Sequence, residues 1–250
     1  MKITVSSKKY LPFFLLFTLI LTLVLGLCFF LGRWMFPSDS ERAVASVRKN
    51  APVVVIDPGH GGEDGGAVGD GGVLEKDLNL SLARTLSDLL TAQGVRVILT
   101  RSEDVLLYDP DSDHEGQKKV QDLATRKRIA ESYEGAVFVS IHMNAFPDPK
   151  YGGLQVYYSE NDARSEELAE GIRALTRTYL QPENKRAVKP SGGDIYLLDR
   201  LFCPAVLVEC GFLSNPEDLS CLREPDYRKK LSLVLCASIM EYLEKEVPRS

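Results

Sequence analysis

The chain has 250 residues, 44% of them hydrophobic and 26% charged, which is enough for one sizeable core and excludes a disordered chain. The net charge is −5, and setting aside the lysines at 2, 8 and 9 leaves −8, a surface that repels phosphate backbones and argues against a nucleic-acid partner. After a short N-terminus (1–9) that carries those lysines, residues 10–32 read YLPFFLLFTLILTLVLGLCFFLG. The run is uncharged and long enough to span a bilayer, and the lysines before it orient residues 1–9 to the cytoplasm. Ala43-Val44-Ala45 resembles a signal-peptidase site, but a cleaved signal has an apolar region of only about 7–15 residues. The expectation is an uncleaved membrane anchor with the rest of the chain outside the cytoplasm, or a secreted protein if the segment is cut.

Residues 33–52, with mixed charges and two prolines, read as a stalk, and a folded domain follows over 53–250. VVVIDP (53–58) is a buried strand, and Leu74, Leu78, Leu82, Leu86 and Leu90 then recur at helical spacing up to Gly94. VRVILT (95–100) is a second strand, followed by a polar loop that contains His114, expected to be solvated. A charged helix over 118–133 leads into the strand AVFVSI (136–141). LQVYY (154–158), a helix over 163–180, the strand AVLVE (205–209) and a helix over 226–245 complete the chain. Strands alternating with helices predict a single α/β domain, a twisted and largely parallel central sheet with helices on both faces. Cys203, Cys210, Cys221 and Cys236 show no disulfide-scaffold density and are expected to be free, mostly buried thiols.

The chemistry lies at the strand ends. VVVIDPGH ends in His60, AVFVSIH in His142 with Asn144 two residues on, and AVLVE in Glu209. Parallel α/β sheets hold ligands at the carboxyl ends of their strands, so these residues converge on one site. Glu75 joins them from the first turn of the leucine-patterned helix. Two imidazoles and a carboxylate are the ligand set of a catalytic zinc with an open position, and Glu209 is placed to act as general base. Each residue also has a plainer reading. A histidine at a strand end can be a hydrogen-bonded polar residue, Glu75 can simply favour the helix dipole, and Asn144 can be a turn residue instead of one that touches substrate or orients His142. The glycine loop G-H-G-G-E-D-G-G matches no phosphate-binding motif, and Glu63 and Asp64 would repel an anion.

With these residues assembled, the chain resembles the zinc-dependent N-acetylmuramoyl-L-alanine amidases. The segments that carry the likeness are VVVIDPGHGGEDGGAVGDGGVLEKDLNLSLA, LTRSED, LATRKRIAES, VFVSIHMNAF, GGLQVYY and PAVLVECGFLSNPED. The resemblance implies zinc ligands at His60, Glu75 and His142, a catalytic Glu209, and hydrolysis of the amide between N-acetylmuramic acid and L-alanine in peptidoglycan. The glycines at 59, 61 and 62 would let His60 swing onto the metal. An N-terminal anchor with no cell-wall-binding repeats before Ser250 is similar to the sporulation and germination amidases that help form muramic lactam in spore cortex. An activating protein partner belongs to the same expectation, and the alternative is an inactive relative that binds peptidoglycan without cutting it. Two residues depart from the family pattern. Glu131, where asparagine is usual, bears on a structural hydrogen bond, and Met143, where a small residue is usual, on substrate fit.

Overall fold

The computed structural model describes residues 11–35, 51–109, 111 and 116–246. His114, the Ala43–Ala45 site and most of the expected stalk lie outside the described residues. The chain falls into two units, residues 1–50 and 51–250. In the first, α1 (Leu11–Met35) is a single helix whose described side chains are largely exposed leucines, phenylalanines and valines. Among the described residues no helix is long and apolar enough to cross a membrane.

In the second unit the elements are β1 (Val53–Pro58), the short hairpin β2 (Val68–Gly69) and β3 (Val73–Leu74), α2 (Glu75–Ala92), β4 (Arg96–Leu99), α3 (Lys118–Glu131), β5 (Val137–Asn144), β6 (Gln155–Tyr158), α4 (Arg164–Tyr179), β7 (Lys189–Pro190), β8 (Ala205–Phe212), α5 (Pro216–Arg223) and α6 (Pro225–Glu246). Six strands form one sheet in the order β4-β1-β5-β8-β6-β7. β4, β1, β5 and β8 are parallel, as expected, but β6 runs antiparallel to β8 and makes the sheet mixed. The connection 145–154 holds no helix to carry the chain back to the opposite edge, so the next strand has to run down from the edge where β5 ended.

Alternation along the strands sorts two cores. Val54, Ile56, Val139, Ile141, Val206 and Val208 face α2, α4 and α6, where Leu78, Leu82, Leu86 and Leu90 supply the periodic apolar stripe of α2. Val55, Phe138 and Leu207 face α3 and the segment Leu197–Leu201. The second face also carries Asp57, Ser140, His142 and Glu209 in strand alternation, so the polar residues toward the carboxyl ends continue the apolar rows below them. The four cysteines are free, with Cys210 and Cys236 buried. α5 has no counterpart among the expected elements. Its signal is Asn215-Pro216, since Asn215 Oδ1 accepts from the main-chain N–H groups of Glu217 and Asp218, and proline suits the first helical position.

Beneath the carboxyl end of β1 lies a buried ion-pair network. Arg126 Nη1 donates to Asp57 Oδ1 at 2.7 Å and Arg126 Nε to Asp122 Oδ2 at 2.8 Å, while Thr100 and Ser140 donate to Asp57 at 2.6 and 2.7 Å. Burial pushes the Asp57 carboxyl up, but the guanidinium and the two hydroxyls outweigh it and hold the group below the usual carboxylate range. This network stabilises the fold above the ordinary carboxylate pKa and loses its contribution as pH falls through the lowered value in the folded state. Arg126→Met should therefore cost about 3–5 kcal/mol at neutral pH, because Asp57 is left charged, buried and unpaired. The sign of its pH dependence should also reverse, the variant gaining stability on acidification toward pH 4. Urea unfolding at several pH values checks both, and a variant with the parental profile would deny the pair that role.

Candidate metal and catalytic site

The turn after β1 is held by its own carbonyls. Arg126 donates to Pro58 O and His60 O, both at 2.7 Å. Arg101 donates to Pro58 O and Gly59 O at 2.9 Å, and Asn79 Nδ2 adds a 3.1 Å bond to Gly59 O. Gly59 N donates to Ile141 O at 3.0 Å, which ties the turn to β5. His60 has φ of +61°, the one non-glycine residue in the left-handed region among the described residues. Such a conformation is unfavourable for a side-chain-bearing residue and persists where its surroundings over-determine it. A Cβ on Gly59 would fall onto the ring of His142, and one on Gly66 onto Glu75 Oε2 and His60 Cδ2, so these glycines make room for neighbouring ligand side chains.

His60, Glu75 and His142 come together with one donor atom each, all within 4.8 Å of one another. Glu75 Oε2 is 3.2 Å from His60 Nε2 and Oε1 is 2.9 Å from His142 Nδ1. The two rings meet edge to face at 4.9 Å. Glu75 is 3% exposed and fixed by N–H groups from Ala67 (2.8 Å), Met143 (3.0 Å) and the Asn79 amide (3.2 Å). Burial raises its pKa, but His142 and then His60 outweigh that and hold the carboxylate far below its ordinary range. Burial lowers the His60 pKa, whereas Glu75 and Asp64 pull it up, for a net rise. Asp64 Oδ2 stands 2.9 Å from His60 Nδ1 in ion-pair range, out of line for a hydrogen bond.

Glu209 lies opposite His142 in the β5–β8 register. Its Oε2 is buried without a hydrogen-bond partner, and burial, against the pull of His142 and with the push of Glu75, raises its pKa to about 7. An orphaned carboxylate oxygen beside two imidazoles and an ionised glutamate fits a divalent cation at that point, and the two-histidine, one-carboxylate donor set suits zinc. Asn144 follows a register shift in β5, and its carbonyl accepts from Leu213 N at 2.8 Å. It is half-buried and not in the donor group.

Of the two departures, Glu131 ion-pairs with Lys127 at 2.6 Å on the surface. Met143 is corrected: its side chain is in the core shared with α2, and only its N–H serves the site. Arg101, Arg126, Asn79 and Asp64 are functional supports that motif reading missed. The available signal is that Arg101 closes an apolar strand and Arg126 follows Asp122 by one helical turn. A half-enclosed cleft of about 270 Å³ opens beside His60 and His142, between α3 and residues 194–198, with Leu123, Tyr196, Leu198 and Leu207 on its walls.

The family described as N-acetylmuramoyl-L-alanine amidase matches residues 54–241. A germination-specific N-acetylmuramoyl-L-alanine amidase of Bacillus subtilis is 34% identical over 96% of this chain and 97% of its own length. Among solved structures, the CwlD amidase of Clostridioides difficile, in complex with the GerS lipoprotein, superposes with a TM-score of 0.73 at 37% identity, covering 78% of this chain and 99% of that one. The amidase AmiC2 of Nostoc punctiforme gives 0.65 at 33% identity, over 77% and 97%.

His60→Ala or His142→Ala removes one of three donors and should leave the purified protein with little bound zinc at ordinary free concentrations. Mass spectrometry of the native protein reads the occupancy, and full zinc in either variant would strike that residue from the donor group.

Proposed function

The chain belongs to the N-acetylmuramoyl-L-alanine amidase family and is an amidase of peptidoglycan, and we propose that it works with zinc held by His60, Glu75 and His142, in spore cortex, from a membrane anchor. The observation that carries the zinc reading is the convergence of those three donors opposite the orphaned, buried Glu209 Oε2. Bound zinc supplies Lewis acidity toward the scissile carbonyl and acidifies water. Glu209, with its raised pKa, takes the proton from the attacking water at Oε2 and delivers it to the departing nitrogen of L-alanine. Glu75, ionised and held by three donors, stays a ligand and leaves proton transfer to Glu209. Asn144, just past His142 at the strand end, hydrogen-bonds the substrate.

The cortex role is supported by the likeness to the germination-specific amidase. Cutting the peptide frees the lactyl carboxyl of muramic acid, the group that later closes as the lactam. Residues 10–32 would be the span, with 1–9 cytoplasmic, 33–52 a stalk and 53–250 facing the wall, a reading that rests on the uncharged run and the lysines before it. A protein partner is supported by the complex of the Clostridioides difficile amidase with its lipoprotein.

The test is product identification from digested peptidoglycan with the full-length protein, expected to give stem peptides with a free N-terminal L-alanine. Release should stop on chelation and return with zinc. Glu209→Gln should keep zinc near the parental level while turnover falls roughly 100- to 10,000-fold, the range for a positioned acid or base. A Glu209→Gln protein that lost its zinc would make Glu209 a ligand, and one that kept its rate would end this mechanism.

A further inference from the structure

A substrate made of a glycan strand and a peptide stem has to leave the site in two directions. The cleft between α3 and residues 194–198 is half-enclosed and lined by leucines together with Lys119, Arg126 and Asp194, a mixed lining that suits a peptide stem. A glycan strand is a continuous polymer, and it enters and leaves such a site only across an open face. Beyond the end of β5, outside the lining of that cleft, the loop 145–153 carries Phe146 and Tyr151. Their rings meet edge to face at 4.7 Å between centroids, and the residues are 48% and 40% exposed. The loop is pinned where it meets α5: Phe146 N donates to Ser214 Oγ at 2.9 Å, and Asn215 Nδ2 donates to Pro149 O at 2.8 Å. Lys150 stands 5.2 Å over the Tyr151 ring. Phe146 follows His142 by four residues, so the two Cα atoms are at most about 14 Å apart, the scale of a disaccharide.

We infer that Phe146 and Tyr151 form a glycan subsite on which the apolar faces of N-acetylated pyranose rings stack, next to the muramic acid whose amide is cut. This rests on the amidase reading of the neighbouring site. Two aromatic rings packed on each other at the surface, on a loop whose main chain is tied to the start of α5, form a preformed flat apolar platform. Continuity with the edge that holds the donor group makes the strand of the substrate its occupant. The stem then runs into the cleft, and the scissile amide spans the ridge between the two.

The test compares two substrates with the full-length enzyme: intact glycan strands and a single N-acetylmuramoyl-L-alanyl-D-glutamate. In Phe146→Ala, Tyr151→Ala and the double variant, KM for strands should rise about 3- to 10-fold per ring. The kcat on strands, and kcat/KM on the single-sugar substrate, should stay at the parental values. Replacing both residues by leucine keeps apolar bulk without a flat ring and should behave like the alanine pair, whereas Tyr151→Trp should retain the parental KM. Parental KM on strands in the double alanine or double leucine variant, with or without loss of a protein partner, overturns the subsite, as does an equal loss on both substrates. A parent enzyme that cuts neither substrate would instead sink the amidase reading.

Discussion

Everything at the site hangs on three consecutive carbonyls. Pro58, Gly59 and His60 turn the chain out of β1, and their oxygens point to two buried guanidinium groups and one amide. A turn whose acceptors are all taken by charged donors has little freedom to relax, because each lost bond would strand a buried charge or carbonyl. That rigidity is what lets a histidine sit at φ of +61° and present its ring beside the strand edge. Arg126 in turn needs Asp57 and Asp122 to be tolerated in the interior. The pairing reaches from the first strand to the helix before β5, so the catalytic edge and the core are one mechanical unit.

Two glutamates on that edge are driven in opposite directions by their surroundings. Glu75 is buried yet surrounded by donors and imidazoles, which keep it ionised and fixed. Glu209 is half-buried, with Oε2 shielded from water and without a donor, so desolvation dominates and its affinity for a proton rises into the neutral range. On the proposed reading, the division of labour between holding a cation and moving a proton thus comes from where hydrogen-bond donors are placed, not from residue type. Such separation of paired carboxylates is the general way one site runs two protonation tasks at a single pH.

The donors were legible in the sequence because each closes or opens an element with a clear apolar pattern. His60 lies just past β1, His142 near the end of β5 and Glu209 within β8, each directly after the apolar run of its strand, and Glu75 opens the helix with the leucine stripe. The parallel core was legible for the same reason. The reversal of β6 was not, since its residues alternate alike in either direction and only the unhelical connection before it decides. Arg101 and Arg126 were opaque for a different reason. In a string of letters, Arg126 on a charged helix and Arg101 at the mouth of a polar loop both look solvated, and only the folded chain shows that their guanidinium groups face inward. The purpose of Gly59 was similarly hidden, because the ring it accommodates belongs to a residue on another strand.

The donors sit on three elements, the turn after β1, the start of α2 and the end of β5, with β8 behind them. None of these segments alone presents more than one imidazole or carboxylate in the required arrangement, so a chain that has not yet paired β1 with β5 has nothing to offer an ion but scattered weak contacts. On the zinc reading, the ion binds only once the sheet is assembled and acts as a latch on it. By mass action, free ion at a hundred times its dissociation constant would deepen the native well by about 2.7 kcal/mol. On the zinc reading, metal supply then bears on how long the fold survives as well as on whether it can cut.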